Sequence, residues 1–289
     1  MAIALQAQRK TDIRKTTTQR NAWGIRQGVL FAMLWMCIGM LGVQQSLAQE
    51  RDQTLTPPPV ATMAQTQVTE NQIIEALGID PDLVESVRLG SERFGDSDPL
   101  GSAVFSQTAS GFPTTGDSFF ALSSGCAGRA LDTDIDAAVL SCALNDGPNG
   151  PGNATDLSQL EIKLNVPEGA NQLSFDFKFF SEEYPTFIGS QFNDGFVVEV
   201  GESTFTVDGS DLVAPDNQVF DEEGNPITIN DTGVLGQDDA FAAGTAYGRP
   251  QNGGATSRLN TSIPITGHPD TMTLTFSIFD VADQLYDLT

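Results

Sequence analysis

The feature that most constrains this chain is a two-residue hydrophobic period. Leu173, Phe175, Phe177 and Phe179 alternate with Ser174, Asp176 and Lys178, and Met272, Leu274, Phe276 and Ile278 alternate with Thr273, Thr275 and Ser277. Leu160, Ile162, Leu164 and Val166 alternate with Glu161, Lys163 and Asn165. Such a period places all the apolar side chains on one face only if the backbone is a strand. Shorter candidates cover residues 196–200, 204–207, 227–229 and 259–265, with Gly, Pro, Asn and Asp clusters between them. Six or more short amphipathic strands with turn residues between them predict a mainly β fold, an antiparallel two-sheet sandwich of jelly-roll-like kind. One short N-terminal helix is expected in VTENQIIEALG, residues 68–78, where Thr69 can cap, Ile73, Ile74 and Leu77 share a face and Gly78 ends the run. No fixed-period repeat is present, which disfavours a propeller or solenoid.

The first 67 residues have a different character. Arg9, Lys10, Arg14, Lys15, Arg20 and Arg26 precede a 16-residue apolar run, GVLFAMLWMCIGMLGV, followed by Ser46, Leu47 and Ala48. A basic leader, an apolar core and a small-x-small ending read as a secretory signal peptide over residues 1–48. The alternative is an uncleaved anchor helix, for which the run is short of the ~20 residues a span needs. Residues 49–67, with Pro57, Pro58 and Pro59, read as a disordered linker, and residues 68–289 as the β domain. The mature product is expected outside the cytoplasm, secreted or at the cell surface, with no membrane span.

Charge narrows the partners. The chain holds 38 Asp and Glu against 14 Lys and Arg, a formal net charge of −24, and six of those basic residues lie in the leader. Such a surface repels phosphate backbones and anionic lipid, so nucleic acid is excluded and a cation is the natural partner. Three cysteines are present, and Cys37 leaves with the leader. Cys126 and Cys142 then read as one disulfide in an oxidising compartment, worth about 3 kcal/mol by chain entropy, or as two buried thiols. A zinc site lacks further Cys or His partners.

Nucleophilic chemistry has little to work with. The single histidine, His268, lies in a turn-like Gly-His-Pro-Asp sequence, and no nucleophile elbow, zincin motif or phosphate loop accompanies it. Carboxylates are the abundant reactive group. Glu182 and Glu183 follow the Phe-rich strand, Asn193 and Asp194 precede the strand at 196–200, and Asp280, Asp283 and Asp287 follow the strand at 272–279. If the first two strands form a hairpin and the third pairs antiparallel with the second, all three groups meet at one tip. Clustered carboxylates repel unless some protonate or a cation sits among them. Oxygen ligands without His or Cys suit Ca²⁺, with 6 to 8 oxygens. The bland alternative is solvated loop charge. Asp132, Asp134 and Asp136 imitate the start of an EF-hand loop, but Ala137 and Ala143 stand where Gly and Glu are needed, so that motif is rejected.

Residues 177–200, FKFFSEEYPTFIGSQFNDGFVVEV, and 277–287, SIFDVADQLYD, together resemble the choice-of-anchor L domain family of bacterial surface and secreted proteins. QIIEALGI at 72–79 and SFFALSSG at 118–125 resemble that family's opening helix and glycine-ended strand. The resemblance implies an extracellular β-rich module with no enzymatic activity, carried to the surface by variable sorting tails. The positions matching its acidic motif are Glu182, Glu183, Asn193, Asp194, Asp280, Asp283 and Asp287. The sequence departs where Leu288 follows Asp287 in place of the more usual Ser, and it stops at Thr289 before a sorting tail, so a C-terminally incomplete domain is expected. The leading functional expectation is a Ca²⁺-stabilised adhesion or extracellular-matrix module without catalytic residues, its surface, matrix or glycan ligand unidentified. The alternative is an extracellular carbohydrate-active hydrolase using paired carboxylates from Glu182, Glu183 and Asp194. Against it, both Trp residues leave with the leader, and sugar platforms rely on aromatic faces. A structural envelope subunit without a specific ligand is the third possibility.

Overall fold

The computed structural model describes residues 2–7, 67–134, 150–233, 235–236, 239–248, 253–267 and 269–282. Two compact units divide the chain, Met1–Gln8 with Pro57–Thr289, and Arg9–Thr56. All described residues belong to the first unit. Cys142, His268, Asp136, Asp283 and Asp287 lie outside the described residues, as does most of the expected leader and linker.

The described chain is mainly β. Its strands are β1 (Ala2–Ala7), β2 (Val84–Ser91), β3 (Gly95–Asp96), β4 (Ser102–Phe105), β5 (Phe119–Ser123), β6 (Ala154–Asn165), β7 (Gln172–Ser181), β8 (Gly195–Val200), β9 (Thr206–Asp208), β10 (Asp211–Val213), β11 (Ile227–Thr228), β12 (Gly254–Ala255), β13 (Leu259–Pro264) and β14 (Thr271–Val281). One six-stranded sheet runs β12-β7-β1-β5-β4, with β13 also on β7; the other runs β11-β8-β14-β6-β2-β3; β9 and β10 form a separate ribbon. All pairs of named strands are antiparallel. Among the described strands, neither six-stranded sheet closes on itself.

The inner rows of the two sheets meet in one apolar cluster. Phe120, Phe177 and Phe179 come from the first sheet, and Leu160, Phe196, Phe276 and Ile278 from the second. Full burial of each such side chain contributes about 1.5–3 kcal/mol. The helix α1 (Glu70–Leu77) closes part of this cluster with Ile73, Ile74, Ala76 and Leu77. Its ends are the ones its sequence specifies. Thr69 Oγ1 accepts from the Gln72 amide while the Gln72 side chain accepts from the Thr69 amide, a reciprocal capping box. Gly78 ends the helix in the left-handed region at φ 67°, donating its amide proton to the Glu75 carbonyl.

The hairpin expected between β7 and β8 does not form: the two strands sit in different sheets, and residues 182–194 cross between them. The reason is visible in β7. Asp176 and Lys178, expected on a wet face, are buried along with Phe175, Phe177 and Phe179. A strand covered on both faces is an interior strand, and both its edges are taken, one by β1 and the other by β12 and β13. The other pairing holds, since β14 runs antiparallel to β8 with Phe279 opposite Gly195. The described residues around Asp132 and Asp134 form a turn.

Candidate functional site

Each of the three acidic groups sits where a strand ends. β7 terminates at Ser181, whose hydroxyl accepts from the Glu183 amide at 3.0 Å, and both Glu182 and Glu183 are buried immediately beyond it. Asn193 and Asp194 immediately precede β8, and Asp280 lies one residue before the end of β14. Because β8 and β14 are antiparallel neighbours, Asp194 and Asp280 come out at the same end. The contact is direct, as the Val281 amide donates to Asp194 Oδ1 at 2.9 Å.

Glu182 follows β7 of the other sheet. Near it, Tyr247 is fully buried in a second apolar cluster with Phe112, Phe119 and Phe180, its ring centroid 5.3 Å from that of Phe180. Burial pushes its phenol well above the ordinary value, and the charges of Glu182 and Asp280 push it the same way. This buried hydroxyl thus feels the charge of carboxylates just beyond β7 and near the end of β14. Sequence reasoning did not place Tyr247 here. It stands in Thr245-Ala246-Tyr247-Gly248, a stretch without charge or strand period, and no spacing connects it to Glu182 or Asp280.

Asp156 is a second residue that sequence reasoning missed. It is buried in β6 with φ 45°, in the left-handed region that costs a non-glycine residue strain. The β6–β14 register slips at this point, with Ser158 opposite Ile278 but Thr155 opposite Asp280. The result is a β-bulge at the strand end that carries Asp280, and bulges of this kind re-aim side chains at sheet rims. No spacing in the sequence announces a register slip.

The environments of the acidic residues differ. Asn193 holds loops together: its side-chain amide donates to the Ser210 carbonyl at 2.7 Å and its side-chain carbonyl accepts from the Asn230 amide at 2.9 Å. Asp280 is 1% exposed, and neither of its carboxylate oxygens has a hydrogen-bond partner; the Tyr247 hydroxyl has none either. A buried ionised carboxylate without hydrogen bonds or a counter-ion is costly by several kcal/mol. Among the described residues, no three His, Cys, Asp or Glu side chains are assembled closely enough to hold a metal ion. Asp194 and Asp280 thus share one end of the fold, and the described carboxylates form no coordination shell.

Cys126 is buried and disulfide-bonded; Cys142, its expected partner, lies outside the described residues. Among the described residues no helix is long and apolar enough to cross a membrane. No family model, curated protein or solved structure matches this chain.

Proposed function

We propose that the chain is a secreted or cell-surface module of the choice-of-anchor L kind, whose two six-stranded sheets are the layers of a jelly-roll-like sandwich and whose acidic end takes Ca²⁺. On this reading the module serves adhesion or matrix contact and carries out no catalysis. The observation that carries the reading is Asp280, buried with both carboxylate oxygens lacking hydrogen-bond partners, whose charge is felt by the Tyr247 hydroxyl, buried in the same condition. A hard divalent cation takes oxygen ligands of these types, and it removes the mutual repulsion of Glu182, Asp194 and Asp280. On the same reading Asp283 and Asp287 supply the remaining oxygens, from the sequence that follows β14.

Melting in millimolar Ca²⁺ and in chelator tests this. We expect a higher Tm with Ca²⁺ than with chelator, because a ligand that binds only the folded state stabilises it by mass action. Mg²⁺ should substitute poorly, since it demands near-ideal octahedral geometry. Asp280→Asn should abolish the Ca²⁺-dependent part of the shift. Identical melting curves in Ca²⁺ and chelator would remove the cation from the account.

A further inference from the structure

The first six-stranded sheet contains an element that the export reading would discard. β1 (Ala2–Ala7) sits between β5 and β7, antiparallel to both, with four register pairs to β5 and six to β7. β5 and β7 therefore run parallel to each other and are separated by one strand, about 9.5 Å at the usual ~4.8 Å spacing. Without the middle strand the sheet would split into β4-β5 and β12-β7-β13, each with an open edge.

These are not ordinary edges. Phe119, Phe120, Ala121, Leu122 and Ser123 of β5 are all buried, and so are Phe175 to Ser181 of β7. Natural edge strands carry charge, proline or bulges that discourage pairing with another chain. Here Lys178 is the one cation on either strand, and its ammonium is engaged by Ser110 and the Phe241 carbonyl. The register also matches the sequence of the inserted strand. Ile3 lies opposite Phe179 and Leu122, and Leu5 opposite Phe177 and Phe120, all four partners belonging to the central core. The intervening positions are the small residues Ala2 and Ala4, opposite Phe180 and Lys178.

We propose that the gap between β5 and β7 is a strand-acceptor slot whose occupant is the chain's own N-terminal segment, Ala2–Ala7. The slot binds an extended segment with large apolar residues at alternate positions and small ones between, chiefly through main-chain hydrogen bonds, which is the recognition mode of β-strand addition. A cut within residues 49–67, made after folding, breaks the covalent link between this strand and the body while leaving the strand seated. The leader then serves the folded domain as a non-covalent subunit.

The test uses the full-length chain in mild detergent, with a site-specific protease sequence placed within residues 49–67. After cleavage of the folded protein, the leader fragment is expected to co-elute with the body in a one-to-one ratio and, without competing peptide, to stay bound until the body unfolds. An excess of labelled peptide of residues 1–8 should exchange into the slot, while the same peptide with Ala4→Pro should not, because proline removes a ladder N–H in an interior strand. In the full-length chain Ala4→Pro should speed peptide entry by about tenfold or more. Should that variant fail to fold, hydrogen exchange on the cleaved wild-type protein decides: amides of β5 and β7 stay protected while the fragment is bound. A fragment that leaves on cutting while the body keeps its Tm and its protection at β5 and β7 would overturn the proposal. So would a body that fills the gap by pairing with a second copy in place of residues 2–7.

Discussion

Lys178 shows what a single buried charge does to this molecule. Its ammonium donates to Ser110 Oγ at 2.8 Å, to the Ser110 carbonyl at 3.2 Å and to the Phe241 carbonyl. Burial, with a smaller contribution from the charge of Arg258, lowers its pKa to about 8 from 10.5. Below pH 8 both folded and unfolded chains hold the proton, so this residue adds no pH dependence there. Between pH 8 and about 10 the folded chain sheds it first and the unfolded chain binds more protons, so stability rises with pH, at most by about 1.4 kcal/mol per unit. Tyr247 acts in the opposite sense above pH 10, because its raised phenol adds stability that is lost once the unfolded phenol ionises. Urea unfolding between about pH 8 and 9.5 should therefore show rising stability in the wild-type chain and a flatter profile in Lys178→Met. Tyr247→Phe removes a buried hydroxyl without a hydrogen-bond partner, so in chelator it should leave stability unchanged or raise it by up to about 1 kcal/mol. If the proposed cation uses that hydroxyl, the same variant should also lose part of its Ca²⁺-dependent Tm shift.

Elements differ in how far their own residues specify them. α1 carries its start and stop in Thr69, Gln72 and Gly78, and Thr69→Ala should cost about 1 kcal/mol in chemical denaturation. The connection into β6 depends on a close approach instead. Gly152 has φ 70°, and a Cβ there would fall 1.9 Å from the Val207 carbonyl oxygen, across a parallel bridge to β9. Gly152→Ala should therefore destabilise by more than about 1 kcal/mol and loosen the β9–β10 ribbon, seen as faster amide exchange at Val207. β6, β7, β13 and β14 were legible from alternation, and β8 from a short apolar run beside turn residues. β5 was not legible from period, since Phe119 to Ser123 are buried on both faces and the run has no alternation to read. β2 escaped as well, its exposed Glu85 and Ser86 interrupting the pattern just where its register to β6 shifts.

At the scale of the whole molecule, both six-stranded sheets draw on one apolar cluster. Phe177, a fully buried member of it, should cost about 3–5 kcal/mol when cut to Ala. Against the roughly 5–15 kcal/mol typical of a domain that is a large share, and calorimetry should still show one transition because neither sheet keeps a core without the other. The acidic end was half legible. That Asp194 and Asp280 emerge together follows from two strand ends and one antiparallel pairing, which alternation suggests. Drawing in Glu182 through a hairpin was wrong, since β7 and β8 belong to different sheets. Tyr247 and Asp156 could not be read at all, the first because its neighbours are remote in sequence and the second because a register slip leaves no compositional trace. By itself the sequence determined that the longest alternating segments become strands, where the helix begins and ends, and that the chain is acidic, because periodicity, caps and charge are properties of short stretches. Only the tertiary structure decided which sheet each strand joins, that Lys178 and Asp280 are buried, and that residues 2–7 fill a place between β5 and β7, because pairing and burial are set by partners far away along the chain.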